Sequence, residues 1–329
     1  MYEIKLTNNK KMKILANDGI DQSAKIALEA KGFTVETTKI SQEELPSKIG
    51  DYDVILVRSA TKVTPAVMDG GSNLKLIGRA GVGLDNIDLD YAKSKGITVV
   101  NTPSASSTSV AELVFAHLFS ICRMLQYSNR EMPENGIEKF NDLKKLASNG
   151  TELKGKTLGL IGFGRIGREA ARMAFGLGMN VIAYDPMISS AEVEITFHKD
   201  AGLLSIKKNI ATISKEDVLK NADFVSLHIP GGQGYVIAKA ELEMMKKGAG
   251  LINCARGGTV CEADLIASLN SGHLAYAGTD VFEKEPPVNG DILRLNNVSL
   301  TPHIGASTAE AQKRIGDEIA EQIINFFNK

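Results

Sequence analysis

Three residues in the last third of the chain have the types and settings for chemistry on a small oxygenated carbon compound. They are Arg256 in NCARGG at 253–258, Glu285 in EKEPP at 283–287, and His303 in TPHIGAST at 301–308. Together they supply a cation for an anionic group, a carboxylate and a proton carrier. Upstream, an apolar run leads into a Gly-rich turn, GFGRIG at 162–167. That combination points to redox at a carbon bearing oxygen, with a nicotinamide cofactor taking hydride.

The glycine turn is a weak signal alone, because glycines are common in turns. Its context makes it specific: a strand pattern precedes it, a helix pattern follows, and Asp185 ends NVIAYD roughly twenty residues later. Gly162 permits the tight turn, Gly164 lets the backbone approach a pyrophosphate, and Gly167 allows close packing of helix on strand. The amides of Arg165 and Ile166 then meet phosphate oxygens at the helix N-terminus. Asp185 accepts from the adenosine ribose hydroxyls and repels a 2′-phosphate, and no Arg follows it directly, so NAD is favoured over NADP. The Walker spacing and its lysine are absent, which argues against ATP or GTP.

Five histidines compete for the proton-carrier role. His117, in the apolar run LVFAHLFS, reads as a buried, hydrogen-bonded helix residue, while His198 and His273 sit in loop-like surroundings with no site character. His228 ends a strand before Pro230, where it suits contact with a cofactor. His303 ends a strand and precedes a Gly-containing turn into a helix, and in an open α/β sheet the carboxyl ends of strands face the ligand crevice. It is the expected base. Arg256 and Glu285 follow strands on that same edge; the plain alternative for them is a surface salt bridge worth about 0–1 kcal/mol. Against it, Gly257 and Gly258 after Arg256 should let another molecule approach the backbone, and Pro286 and Pro287 stiffen the turn at Glu285. Cys254 reads as a small space-filling residue beside the cofactor.

Alternating strand and helix patterns must position these residues. Strands are expected at 13–16, 34–38, 54–58, 75–79 and 97–101, then a long helix over 104–127 with Val110, Leu113, Val114, Leu118, Ile121 and Leu125 on one face. A second series runs through TLGLIGFG, NVIAYD, DFVSLHI, GLINCAR, AYAGTDVF and VSLTPH, nearly continuous apolar runs that suit a sheet covered on both faces. A last helix, with Ile315, Ile319, Ile323 and Phe326 on one face, returns to the first domain. The pattern predicts an α/β protein with two doubly wound parallel sheets: a discontinuous substrate domain of 1–101 plus 304–329 and a cofactor domain of 102–303. The stretch 187–215 reads as a long, charged, irregular excursion, and residues 1–11 lie outside the pattern.

Composition narrows the partners. With 329 residues and a net charge of -1, the chain has length for about two domains and no global positive field for nucleic acid or anionic membrane. Its start carries charges where a signal peptide needs an apolar core. Three cysteines, Cys122, Cys254 and Cys261, have neither zinc-ligand spacing nor an even count, so neither a metal site nor a disulfide framework is expected and a cytoplasmic setting is.

VRSATKVT at 57–64, GRAGVGLDNIDL at 78–89, NTP at 101–103, GTELKGKTLGLIGFGRIGRE at 150–169, NCARGG, DVFEKEPP and TPHIGAST together resemble the D-isomer-specific 2-hydroxyacid dehydrogenase family over nearly the whole chain. The resemblance implies a flavodoxin-like substrate domain and a Rossmann domain for NAD. It implies that Arg256 binds the substrate carboxylate and carbonyl, that His303 is the acid/base, and that Glu285 orients it. Asp280 should hold the nicotinamide carboxamide, while Val82, His228, Ile229, Pro230, Cys254, Ala255, Gly305 and Ala306 line the cofactor. Arg58, Ser59, Arg79, Ala80 and Gly81 should meet substrate, with Arg58 or Arg79 as the cation for a phosphate.

Within the family the expected reaction is NAD-dependent oxidation of 3-phospho-D-glycerate to 3-phosphohydroxypyruvate, on the way to serine, by a homodimer. The nearest rivals are reduction of glyoxylate or hydroxypyruvate and oxidation of D-lactate; a rival of another class is an NAD-sensing corepressor or scaffold. The chain departs from the family pattern in having no tryptophan before GTEL and a longer segment there, with Lys139, Lys144 and Lys145 as further candidates for a phosphate. HIPGGQGYVI is shorter than the common form. The sequence stops at Lys329, directly after the last helix, so no regulatory amino-acid-binding domain and no inhibition by serine are expected.

Overall fold

The computed structural model describes residues 11–196, 205–232, 234–288 and 290–328. His198 and residues 1–10 therefore lie outside the described residues. The chain divides into two compact units, Met1–Ser106 with Ala306–Lys329, and Ser107–Gly305. The sequence reading put these divisions at 101/102 and 303/304. Residues 102–106 stay with the first unit because Thr102 N donates to Gly81 O at 3.0 Å and Ala105 packs with Ala80, Ala306 and Ile315.

The first unit is built on β1 (Lys13–Ala16), β2 (Thr34–Glu36), β3 (Val54–Val57), β4 (Leu76–Arg79) and β5 (Thr98–Asn101). All are parallel, in the order β2-β1-β3-β4-β5. This is the flavodoxin order, in which ligands bind beyond the carboxyl ends of the strands where the order reverses. Each of the four β3 residues is buried, as a strand covered by helices on both faces must be. One face packs against Leu45, Ile49, Val67 and Met68; the other takes Ala24 and Leu28 of one helix and Ile319 and Ile323 of the last helix, Ala309–Phe327.

The second unit has β6 (Thr157–Ile161), β7 (Asn180–Tyr184), β10 (Phe224–Leu227), β11 (Gly250–Asn253), β12 (Tyr276–Thr279) and β13 (Val298–Leu300), with β8 (Ser190–Thr196) and β9 (Ser205–Ala211) apart from them. The six-stranded sheet is parallel, ordered β13-β12-β11-β10-β6-β7. Its order reverses between β6 and β10, so a crevice opens above the Gly-rich turn that leaves β6.

Two elements differ from the sequence reading. Within the excursion over 187–215, the described strands β8 and β9 pair antiparallel, pinned by Val193 and Ile210, which join the core beside the helix Arg165–Gly176. The alternation of buried and exposed residues along β8 is a strand signal that the charged neighbours obscured. The long helix stops early: Ser107–Cys122 is helical, Met124 turns left-handed at φ 54, and a second helix, Leu125–Asn135, leaves at 58°. The break is tertiary, because Thr151 N donates to Cys122 O at 2.9 Å and no Gly or Pro announces it. Leu125, read as part of the buried face, is 49% exposed. No single described helix is long and apolar enough to cross a membrane.

Candidate active site

Arg256, Glu285 and His303 follow β11, β12 and β13, neighbouring parallel strands, so all three emerge on one edge of the second sheet. At a strand spacing of about 4.8 Å the outer two strand ends stand roughly 10 Å apart, the scale of a small substrate with its cofactor ring. His303 and Glu285 meet directly: Nδ1 lies 2.6 Å from Glu285 Oε2. Oε1 of the same carboxylate accepts from Phe282 N at 3.2 Å. Both side chains remain partly exposed, at 40% and 37%, which a residue exchanging protons with a ligand needs. With Nδ1 on the carboxylate, Nε2 is the nitrogen left for a substrate. A pocket of about 400 Å³ adjoins the pair, walled by Phe282, Pro286, Pro287, Leu293 and Leu300.

His303 has φ 55, a conformation that costs a non-glycine residue about 1–3 kcal/mol unless its surroundings impose it. Asp280 imposes it. Its carbonyl accepts from His303 N at 2.8 Å, Oδ1 from Ile304 N at 2.8 Å, and Oδ2 from Gly305 N at 2.8 Å. Expected to hold a carboxamide, Asp280 is only 1% exposed, and its oxygens clamp the turn that carries His303.

Arg256 is anchored through its own backbone: its carbonyl accepts from Thr259 Oγ1 at 2.7 Å and Asn253 Nδ2 at 3.1 Å, while Nη1 donates to Ala255 O at 2.7 Å. Gly257 makes room for the chain itself, not for the visiting molecule expected there. A Cβ there would fall 1.8 Å from Phe282 O, so the backbone that approaches is the chain's own, and it brings the Glu285 turn against the Arg256 turn. Cys254 is buried, and burial, with the nearby Asp280 charge, pushes its thiol well above the usual range. It fills space as a neutral thiol. Ala255 beside it is buried too.

The Gly-rich turn fits a dinucleotide. Gly162 has φ +99, and a Cβ on it would lie 2.4 Å from His228 O; at Gly167 a Cβ would lie 2.3 Å from Gly162 O. Gly164, the N-cap of Arg165–Gly176, has open space above it, and the amides of Arg165 and Ile166 open that helix. Across the turn, His228 Nε2 is buried with no hydrogen-bond partner, an orphan that a ligand can satisfy. Burial lowers its pKa to about 4, so the ring is neutral. Ile229 and Pro230 continue this rim, and the side chain of Ile229 lies 3.1 Å from the Gly162 Cβ position. Asp185 directly follows β7, where Oδ2 accepts from Phe163 N at 2.8 Å and Oδ1 from Met187 N and Ile188 N. A carboxylate has about four acceptor sites, so one remains for a ribose hydroxyl.

The remaining expected residues belong to the first unit. Arg58 follows β3 and Arg79 ends β4, both at the carboxyl edge of their sheet. The loop from Arg58 through Ser59 to Thr61 is stiff: Asp18 Oδ2 accepts from Arg58 N at 2.8 Å and Thr61 N at 3.0 Å, and Asn86 Nδ2 donates to Arg58 O and Thr61 O. Gly81 gives room for the Arg79 side chain, Ala80 and Ala306 share one small cluster, and Val82 O accepts from Asn101 Nδ2 at 2.6 Å. Asp18, Asn86, Asp280 and Thr301 were not among the expected holders of these loops. The signal available for Asp18 was its place two residues past β1, on the same edge. Lys139, Lys144 and Lys145 are exposed.

Residues 115–305 match the model of the D-isomer specific 2-hydroxyacid dehydrogenase, NAD binding domain. The chain is 41% identical over 317 residues to hydroxypyruvate reductase of Thermotoga maritima, covering 94% of this chain and 97% of that protein. It is 42% identical over 314 residues to D-3-phosphoglycerate dehydrogenase of Methanocaldococcus jannaschii, covering 95% of this chain and 57% of that protein, so it spans little more than half the length of that relative. Among solved structures, the holo form of Rhodotorula graminis D-mandelate dehydrogenase is similar at TM-score 0.82 and 25% identity, over 96% of this chain and 94% of that one.

Proposed function

Because the chain belongs to the D-isomer-specific 2-hydroxyacid dehydrogenase family and is an NAD-dependent enzyme, we propose that it oxidises 3-phospho-D-glycerate to 3-phosphohydroxypyruvate, a step toward serine, and catalyses the reverse reduction. The observation that carries the chemistry is the His303–Glu285 contact. Arg256 takes the substrate carboxylate in a two-pronged bond and polarises the oxygen at C2. His303 Nε2 accepts the C2 hydroxyl proton while Glu285 accepts from Nδ1–H and holds the ring in place, a role typically worth 10²–10⁴-fold. NAD, when bound, supplies the acceptor for the hydride from C2. The turn 162–167, Asp185 and His228 are its proposed holders, with the rim of Ile229 and Pro230, Cys254, Ala255, Gly305, Val82 and Ala306.

The phosphate reading rests on the stiffened Arg58 loop and on Arg79, cations beyond the one the carboxylate needs. A second reading, reduction of hydroxypyruvate, is favoured by the near-complete coverage of the Thermotoga maritima relative. The two substrates differ by the phosphate alone. Initial rates of NADH oxidation with 3-phosphohydroxypyruvate, hydroxypyruvate, glyoxylate and pyruvate separate them: a higher kcat/KM for the phosphorylated acid, lost selectively in Arg58→Ala, supports the first. Equal loss on all four acids removes Arg58 from phosphate binding.

The assembly proposed is a cytoplasmic homodimer. Ile137 is 99% exposed, and Phe140, Leu125 and Met132 are exposed with it across Leu125–Asn135 and Phe140–Ala147. Apolar side chains so placed suit a partner surface. Sedimentation equilibrium reads the state, and a monomer at micromolar concentration contradicts it.

A further inference from the structure

A buried polar chain runs beneath the His303 turn. It starts on the helix Ser107–Cys122 at His117, which is 2% exposed and faces β12, where Gly278 makes room: a Cβ at 278 would lie 2.8 Å from His117 Cβ. His117 Nδ1 lies 2.8 Å from Ser299 Oγ and Nε2 lies 3.1 Å from Thr301 Oγ1. Thr301 Oγ1 donates to Asp280 Oδ1 at 2.6 Å. The direction of the chain follows from proton counting. A carboxylate only accepts, so the single Thr301 hydroxyl proton is committed to Asp280, and the oxygen must accept from His117 Nε2–H. The Nδ1 of a neutral ring then accepts from Ser299. Burial lowers the His117 pKa, against the opposing pull of the Asp280 charge, which agrees with that neutral form. About two turns earlier on the same helix, Ser109 Oγ donates to Gly305 O at 2.7 Å. One helix thus holds the turn 301–305 at both ends.

We propose that His117 and Thr301 are positioning residues for proton transfer. Acting through Asp280, they fix the left-handed backbone of His303 and keep its ring on Glu285. The proposal rests on the reading of His303 as acid/base. Thr301 also lines the pocket beside the pair, but Val keeps its shape there and neither residue is a proposed cofactor holder, so their loss acts on the orientation of His303. A small misplacement of a reacting group is enough to slow the chemistry.

The test uses Thr301→Val, which keeps shape and removes the hydroxyl, Thr301→Ser, which keeps the hydroxyl, and His117→Leu. NADH fluorescence titration counts folded sites, and kcat and KM are measured with 3-phosphohydroxypyruvate and hydroxypyruvate. In Thr301→Val the expected result is unchanged NADH affinity and unchanged KM, with kcat down about 10- to 100-fold. Thr301→Ser restores most of it. His117→Leu lowers kcat in the same direction, and the double variant is no slower than Thr301→Val alone, because both break one chain. Wild-type kcat in Thr301→Val, or Thr301→Ser as slow as Thr301→Val, overturns the proposal. Should Thr301→Val not fold, wild-type kcat in His117→Leu overturns it equally. Failure of the acid/base reading is told apart by His303→Ala: if that variant loses turnover while Thr301→Val keeps it, only the positioning chain falls.

Discussion

His303 Nδ1 stands 2.6 Å from Glu285 Oε2, and the other oxygen of that carboxylate is tied to the Phe282 amide, so the group that orients the ring is itself anchored to the backbone. The ring is thereby fixed in the form with Nε2 free for substrate. Glu285→Gln keeps the size and removes the charge. It is expected to lower kcat by about 10²-fold, within the range of acid–base effects, with NADH affinity unchanged. Stopped-flow NADH oxidation with titration of bound NADH reads both quantities; an unaltered kcat contradicts the role.

Arg256 is expected to act through the flat fork of its guanidinium. Arg256→Lys keeps the charge and loses the two-pronged geometry, so the loss of a charge-assisted bond worth about 1.5–3 kcal/mol lowers kcat/KM about 10- to 150-fold. Steady-state kinetics with a 2-oxo acid checks this, and an effect under about threefold places Arg256 away from the carboxylate.

Asp185 holds the Gly-rich turn through Phe163 N, and its proposed second task is to accept from the ribose. Asp185→Ser removes the charge that opposes a 2′-phosphate. The ratio of kcat/KM for NAD over NADP is expected to fall by at least about tenfold, mostly through weaker use of NAD. An unchanged ratio sinks the assignment.

The orphaned ring of His228 makes a prediction about stability. Its folded pKa is about 4, below the unfolded value of about 6.5. Above pH 6.5 both states are neutral and the residue has no pH effect. Between about pH 6.5 and 4 the unfolded chain binds the proton and the folded one does not, so stability falls as pH drops through that window. Urea unfolding at a series of pH values should show a shallower decline for His228→Asn. Parallel curves for the two proteins would falsify this.

Much of the architecture was legible because burial on both sheet faces writes itself as short apolar runs, and both doubly wound sheets follow from them. The glycine turn was legible for a similar reason, since Gly162 and Gly167 each answer a steric demand at a fixed place. What escaped the sequence was set by contacts between distant segments. The stop after Cys122 depends on the Thr151 amide, and the pairing of β8 with β9 is pinned by two side chains reaching the core. Gly257 was read with the right demand and the wrong visitor, the Phe282 backbone standing where a ligand was expected. Asp280 was expected from the family resemblance to meet the cofactor, and its hold on the three amides of 303–305 is a further task that no local sequence signal announced.

The central claim is that His303 carries the proton for hydride transfer at C2 of a 2-hydroxy acid. His303→Ala tests it most directly, with NADH affinity from fluorescence titration and turnover from NADH oxidation by 3-phosphohydroxypyruvate on the same sample. The account predicts wild-type NADH affinity with turnover lower by about 10²–10⁴-fold. Turnover equal to wild type in a variant that binds NADH normally contradicts it.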